Sequence, residues 1–136
     1  MRLVAGVIRD IEKMINITTK ELKMNEFIKT MNKFQKMMHK NAVDHGWHDK
    51  PVSFGTTCMN IVREVSEAFD EYARHREVTE VYYKGEKPEG IPVELADIFI
   101  RICDFCEKEN ISLGEVAVLK HKFNKTRSYR HGNKKV

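Results

Sequence analysis

Glu64 and Glu67 are three residues apart, and so are Glu94 and Asp97. That spacing puts both members of a pair on one face of a helix. Glu71 extends the first pair by a further turn. Four carboxylates converging from two helices make an all-oxygen donor set that suits Mg2+, or Mn2+ in its place. Such an ion keeps part of its water shell and binds phosphate oxygens. The chemistry it serves is polyphosphate hydrolysis, in which it grips the substrate, neutralises developing charge and lowers the pKa of an attacking water.

The two pairs carry unequal weight. Glu64, Glu67 and Glu71 point away from the apolar series Val62, Val65 and Phe69, so taken alone they read as an ordinary solvated face. Residues 93–106, by contrast, are apolar nearly all round, and a helix of that kind is expected to be buried in a bundle or at an oligomer interface. Its charged residues, Glu94, Asp97, Arg101 and Asp104, form one narrow line. Acids in such company are costly unless paired or metal-bound, and Arg101 can satisfy only one of them.

A complementary cationic face is offered by Lys120, Asn124 and Arg127 at i, i+4 and i+7. These residues suit phosphate oxygens, and they equally suit a solvated, dipole-stabilised helix end. Residues 116–136 carry seven Lys or Arg and no acid, whereas residues 1–115 set 17 basic residues against 20 acids. An acidic body therefore ends in a basic tail, which calls for an anionic partner, an internal acidic partner or simple solvation.

The elements that must position these groups are helices. Val4, Ile8, Ile11 and Ile15 recur at helical spacing, and Thr18-Thr19 and Asn25 then predict an interruption, making residues 4–17 a short separate helix. A second helix is expected from an Asn25 cap through Phe27, Met31, Phe34 and Met38, ending before Gly46. His45 to Pro51 reads as a loop. A long helix from Ser53 or Thr56 to His75 carries Cys58, Val62, Val65, Phe69 and Tyr72 as its apolar stripe. Residues 77–91 form a loop with a short extended piece around Val81-Tyr82-Tyr83. Pro92 suits the first turn of the next helix, which runs to about Glu109. Ser112 and Glu115 read as a capping box opening a last helix through Arg127, with Val116, Leu119 and Phe123 on its buried side.

With 136 residues, 41% of them hydrophobic and 32% charged, the chain is long enough for one cored domain, and most of it is expected to be ordered. Seven Gly and three Pro favour helix over a strand-and-turn design. No apolar run reaches the length of a membrane span or a signal core, so a cytoplasmic protein without membrane partners is expected. Cys58, Cys103 and Cys106 lack scaffold-like spacing and read as reduced thiols. The fold class predicted is all-α, a four-helix-bundle-like subunit. A dimer or dimer of dimers is expected because one short chain cannot enclose the helix over residues 92–109.

The pattern resembles the MazG-like all-α nucleoside triphosphate pyrophosphohydrolases, which are related to the dimeric dUTPases. Glu64-Val-Ser-Glu67, a 26-residue spacer and Glu94-Leu-Ala-Asp97 follow that family's E-x-x-E and E-x-x-D signature. More specific are the flanks: His39-Lys-Asn41-Ala, Gly46-Trp47, the run from Glu64 to Tyr72, and Lys120-x3-Asn124-x2-Arg127-x-Tyr129-Arg130-His131-Gly132. The similarity spans roughly residues 30–132, and Arg63 departs from the neutral or His residue that many members carry.

The resemblance implies that Glu64, Glu67, Glu94 and Asp97 bind Mg2+, that Lys120, Asn124 and Arg127 contact phosphate, and that Glu67 or Glu71 orients the attacking water. His39 and Trp47 would sit near the base, with Trp47 able to stack on it. It divides the chain into a helical extension (1–24), the pyrophosphohydrolase domain (25–130) and a basic tail (131–136). The expected reaction is cleavage of a nucleoside triphosphate to the monophosphate and pyrophosphate by water attack at the α-phosphorus.

Rival readings rest on other features. The basic tail suggests a non-catalytic nucleotide- or nucleic-acid-binding module, although no finger, helix-turn-helix or aromatic RNA platform accompanies it. Cys103-x-x-Cys106 with Cys58 and His45-x-x-His48 suggests a zinc or redox site, against core packing of those thiols. Di-iron chemistry lacks its paired Glu-x-x-His motifs.

Overall fold

In a computed structural model of the chain, helices dominate and one short hairpin interrupts them. The structure describes residues 2–133, with side chains described over 10–130. Residues 134–136 of the expected basic tail, and the side chains of Val4 and Ile8, lie outside what is described. The elements are α1 (Arg2–Asp44), α2 (Phe54–Ala73), β1 (Tyr82–Lys84), β2 (Lys87–Glu89), α3 (Ile91–Lys108), α4 (Leu113–Thr126) and the single turn α5 (Arg130–Asn133). Among the described residues no helix is long and apolar enough to cross a membrane.

The expected interruption at Thr18-Thr19 and Asn25 is absent. α1 is helical throughout, with no Gly or Pro between Val7 and His45 to break it. The two threonine hydroxyls donate back to the carbonyls of Met14 and Ile15, both at 2.9 Å, so their polar groups are satisfied inside the helix rather than by a turn. α1 stops at Gly46, whose φ of 78° is open to glycine at little cost. Gly46 N donates to Val43 O and Trp47 N to Ala42 O, both at 3.0 Å, the paired bonds of a Schellman stop. That turn fixes where Trp47 and His48 leave the helix.

The chain packs as two compact units, residues 1–33 with 112–136, and residues 34–111. The seams between these units fall within α1 and before α4.

In the unit of residues 34–111, α2 and α3 form the principal helix pair. Ser53 caps α2 by accepting from Thr56 N at 3.1 Å. β1 and β2 pair antiparallel, Tyr82 opposite Glu89, and lead directly into α3. Gly90 makes that entry at φ 119°, where a Cβ would lie 2.4 Å from Glu80 O. Cys103 is fully buried, and Ile91 and Cys106 of the same helix are buried too. Phe34 stacks on Phe99 with centroids 5.4 Å apart, and Phe54 meets Phe105 at 5.2 Å. Buried Gln35 donates to Glu107 Oε2 and Ile111 O, tying the end of α1 to α3.

The faces of α2 and α3 depart from expectation. Val62, Val65, Phe69 and Tyr72 are all more than half exposed, whereas Glu64 and Glu71 are buried. On α3, Leu95 and Phe99 are exposed too, so the unit does not enclose its most apolar helix. Periodicity shows which residues share a face; which face turns inward depends on what stands opposite.

In the unit of residues 1–33 and 112–136, Gly114 and Val118 form the buried side of α4, in place of Val116, Leu119 and Phe123, all of which are exposed. The close approach of Ile28 and Met31 to Gly114 selects that side: a Cβ there would meet the Met31 Cβ at 3.1 Å. Ser112 does not form the expected capping box. Its hydroxyl donates to Asn32 Oδ1 at 3.1 Å, with no side-chain bond to the helix backbone.

Candidate metal centre and cleft

Three of the four predicted metal-binding acids come together. Ligand oxygens of Glu64, from α2, and of Glu94 and Asp97, from α3, all lie within 4.8 Å of one another. Glu64 and Glu94 are buried and Asp97 is partly so. Desolvation raises the Glu94 carboxyl above the usual carboxylate range, and Glu67, Asp97, Glu64 and Glu89 add to the rise by repulsion. Asp97 is raised chiefly by desolvation and then by Glu64, against the opposing pull of Arg101 and Lys87. The cluster is thus short of positive charge.

Arg101 supplies part of what is missing. Its Nε and Nη2 donate to Glu64 Oε1 at 2.7 and 2.6 Å, so the one acid that Arg101 satisfies lies across the helix pair rather than on its own helix. The fourth acid, Glu67, stands outside the cluster, half-exposed, with Arg63 Nε 3.5 Å away. It is still near enough to raise Glu94.

Glu71 is engaged elsewhere. Tyr82 Oη donates to both of its oxygens at 3.2 and 3.0 Å, with Arg74 and Arg76 flanking at 3.7 and 4.0 Å. It anchors the hairpin to α2 and takes no part in the acidic cluster.

Asp97 and Arg101 also line a cleft of about 280 Å3, near the lower end of the ~300–1,000 Å3 usual for small-molecule sites. Asn41, Trp47, His48, Asn60 and Asp104 contribute to its walls. Trp47 is 70% exposed and so is free to stack on a planar ligand rather than serving as a core aromatic. His39 reaches the cleft through Asp104, whose Oδ1 lies 2.7 Å from His39 Nδ1 and 2.8 Å from His48 Nε2. The sequence marked Asp104 only as part of a polar line and His48 only as a zinc candidate. A helix end, a loop and a second helix meet there, which no local spacing reveals.

Lys120, Asn124 and Arg127 belong to the other unit. Lys120 and Asn124 are exposed on α4, but that helix ends at Thr126, and Arg127 takes an extended conformation. The three therefore do not share a helical face as expected. Phe123 gathers the two cations instead: Lys120 Nζ and the Arg127 guanidinium lie 5.2 and 5.9 Å from its ring centroid.

Neither a family model, nor a curated protein, nor a solved structure matches this chain.

The thiols do not form the alternative site. Among the described residues no cysteine joins a cluster of metal-ligating side chains. Burial pushes the Cys103 thiol up to about 11, with Cys106 adding to the rise, and Cys106 is itself raised by burial. His45 Nδ1 is 2.8 Å from the carbonyl of Asn41, in its own helix end.

Proposed function

We propose that this protein is a MazG-like, Mg2+-dependent pyrophosphohydrolase that cleaves a nucleoside triphosphate to the monophosphate and pyrophosphate. The observation that carries the proposal is the convergence of Glu64, Glu94 and Asp97 beside a cleft walled by Trp47 and Asn41. The donor set fits Mg2+: carboxylate oxygens of partly desolvated acids whose mutual repulsion a divalent cation would relieve. Bound there, Mg2+, or Mn2+ in its place, supplies the charge that grips phosphate oxygens and makes water a stronger acid.

The chain's own residues divide the remaining work. Glu67, outside the cluster and accessible, orients the attacking water and takes its proton; Glu71, held by Tyr82, is not available for that role. Arg101 holds Glu64 in place across the helix pair. Trp47 presents its ring to the base, and His39 acts on the base end through Asp104. Lys120, Asn124 and Arg127 offer two cations and an amide of the kind that contact phosphate oxygens.

The working form is a four-helix-bundle-like subunit in a dimer or dimer of dimers. What supports this is the outward stripe Val62, Val65 and Phe69 with exposed Leu95 and Phe99, too much apolar surface for the helix pair to leave in water.

The test is a panel of ribo- and deoxyribonucleoside triphosphates with Mg2+, following pyrophosphate, for the wild type, Glu67→Gln and Asp97→Asn. Turnover by the wild type with losses of about a hundredfold or more in both variants supports the proposal. Absence of turnover across the panel, or wild-type rates in both variants, refutes it.

A further inference from the structure

A second set of metal-ligating side chains meets beside the carboxylates. His39 comes from the last turns of α1, His48 from the loop released by the Gly46 turn, and Asp104 from the second half of α3. Their ligand atoms all lie within 4.8 Å of one another. Both imidazoles address one oxygen, Asp104 Oδ1, at 2.7 and 2.8 Å, and the rings meet edge to face with centroids 4.8 Å apart. Each side chain is about three-quarters buried, at 25, 21 and 24% exposure for His39, His48 and Asp104.

The chemistry of this set differs from that of the acidic cluster. Two neutral nitrogens and one carboxylate oxygen suit a borderline divalent ion such as Zn2+ or Co2+, whereas an all-carboxylate site suits Mg2+. As a purely internal network, the two rings donate N–H groups to the shared oxygen. Each ring becomes a ligand by carrying its proton on its other nitrogen instead, a tautomer change that leaves it neutral. His48 and Asp104 also line the cleft, so a position beyond the three protein ligands is within reach of water.

We propose that His39, His48 and Asp104 form a second cation site, selective for a borderline divalent ion of the Zn2+ class and distinct from the carboxylate site. This does not rest on the pyrophosphohydrolase reading, since the ligands and their geometry stand whatever the cleft accepts. An ion held there joins α1, the loop carrying Trp47, and α3 through direct bonds, so that loading also fixes one wall of the cleft.

Co2+ titration of the untagged, chelator-treated full-length protein tests the site, read by visible ligand-field absorption and checked by Zn2+ displacement. The expected result is one Co2+ bound through nitrogen and oxygen, displaced by Zn2+, with affinity at least tenfold lower in His48→Ala and in Asp104→Asn. The double variant Glu94→Gln/Asp97→Asn should bind Co2+ as the wild type does. Circular dichroism establishes that each variant is folded, and His39→Gln stands in for either single variant that is not. Absence of such absorption overturns the proposal, and so does absorption that survives loss of the His48 ring. Loss of binding only in the Glu94/Asp97 double variant would place the ion on the acids, and intense thiolate charge-transfer bands would place it on the cysteines; either result also overturns it.

Discussion

Arg101 places two nitrogens, Nε and Nη2, on a single oxygen of Glu64, at 2.7 and 2.6 Å. This contact joins α3 to α2 at the edge of the acidic cluster, where it provides the nearest compensating charge. Arg101→Met keeps much of the side-chain volume and removes that charge. Breaking a fully buried pair costs roughly 3–5 kcal/mol. Arg101 is 30% exposed, so a loss nearer about 1–3 kcal/mol is expected in metal-free protein. Urea denaturation with and without Mg2+ measures it, and Mg2+ should restore more stability to the variant than it adds to the wild type.

Stability should depend on pH in a direction set by Glu94 and Asp97. Both carboxyls are raised in the folded state, chiefly by desolvation. Between their unfolded values of about 4 and their higher folded values, the folded protein binds more protons than the unfolded chain. Their contribution to stability is therefore fully present in acid and falls as pH rises through that interval. Mg2+ favours the ionised acids, so its stabilising increment should grow over the same interval. Melting temperatures at about pH 5 and about pH 8, with and without Mg2+, check this; equal increments at the two pH values would speak against the site.

The thiols should separate by reactivity. Cys58 is partly exposed, whereas Cys103 and Cys106 are buried and their thiols are raised, Cys103 to about 11. In native protein at about pH 8, a thiol reagent should modify Cys58 first and the other two only as the protein opens. Mass spectrometry of the labelled peptides reads the order.

The outward stripe on α2 predicts assembly. Light scattering should give two or four times the 16.0 kDa chain mass, and Phe69→Glu should shift it toward the monomer. A wild-type monomer would leave the 65% exposure of Phe69 unexplained by self-association.

Much of the architecture was legible because it depends on local signals. The Ser53 cap, Pro92 in the first turn and the apolar density of residues 93–106 locate α2 and α3 to within a few residues. Thr18 and Thr19 misled because a threonine can satisfy its hydroxyl either in a turn or on its own helix backbone, and only the latter occurs. The burial of Glu64 and Glu71 was not legible, since periodicity ranks faces by polarity and the apolar face of α2 points away from α3. In the acidic cluster, the i, i+3 spacing of Glu94 and Asp97 was readable, whereas the pairing of Glu64 with Glu67 was not kept, since Glu67 stands outside it. The diversion of Glu71 to Tyr82, and the meeting of His39 and His48 on Asp104, are tertiary events set by a hairpin and a loop.

The most direct test of the proposed chemistry is hydrolysis in 18O-labelled water with Mg2+, with products resolved by phosphorus NMR and mass spectrometry. Attack at the α-phosphorus predicts pyrophosphate without label and a nucleoside monophosphate carrying one 18O. Orthophosphate as the first product, label in the pyrophosphate, or no Mg2+-dependent turnover would contradict it.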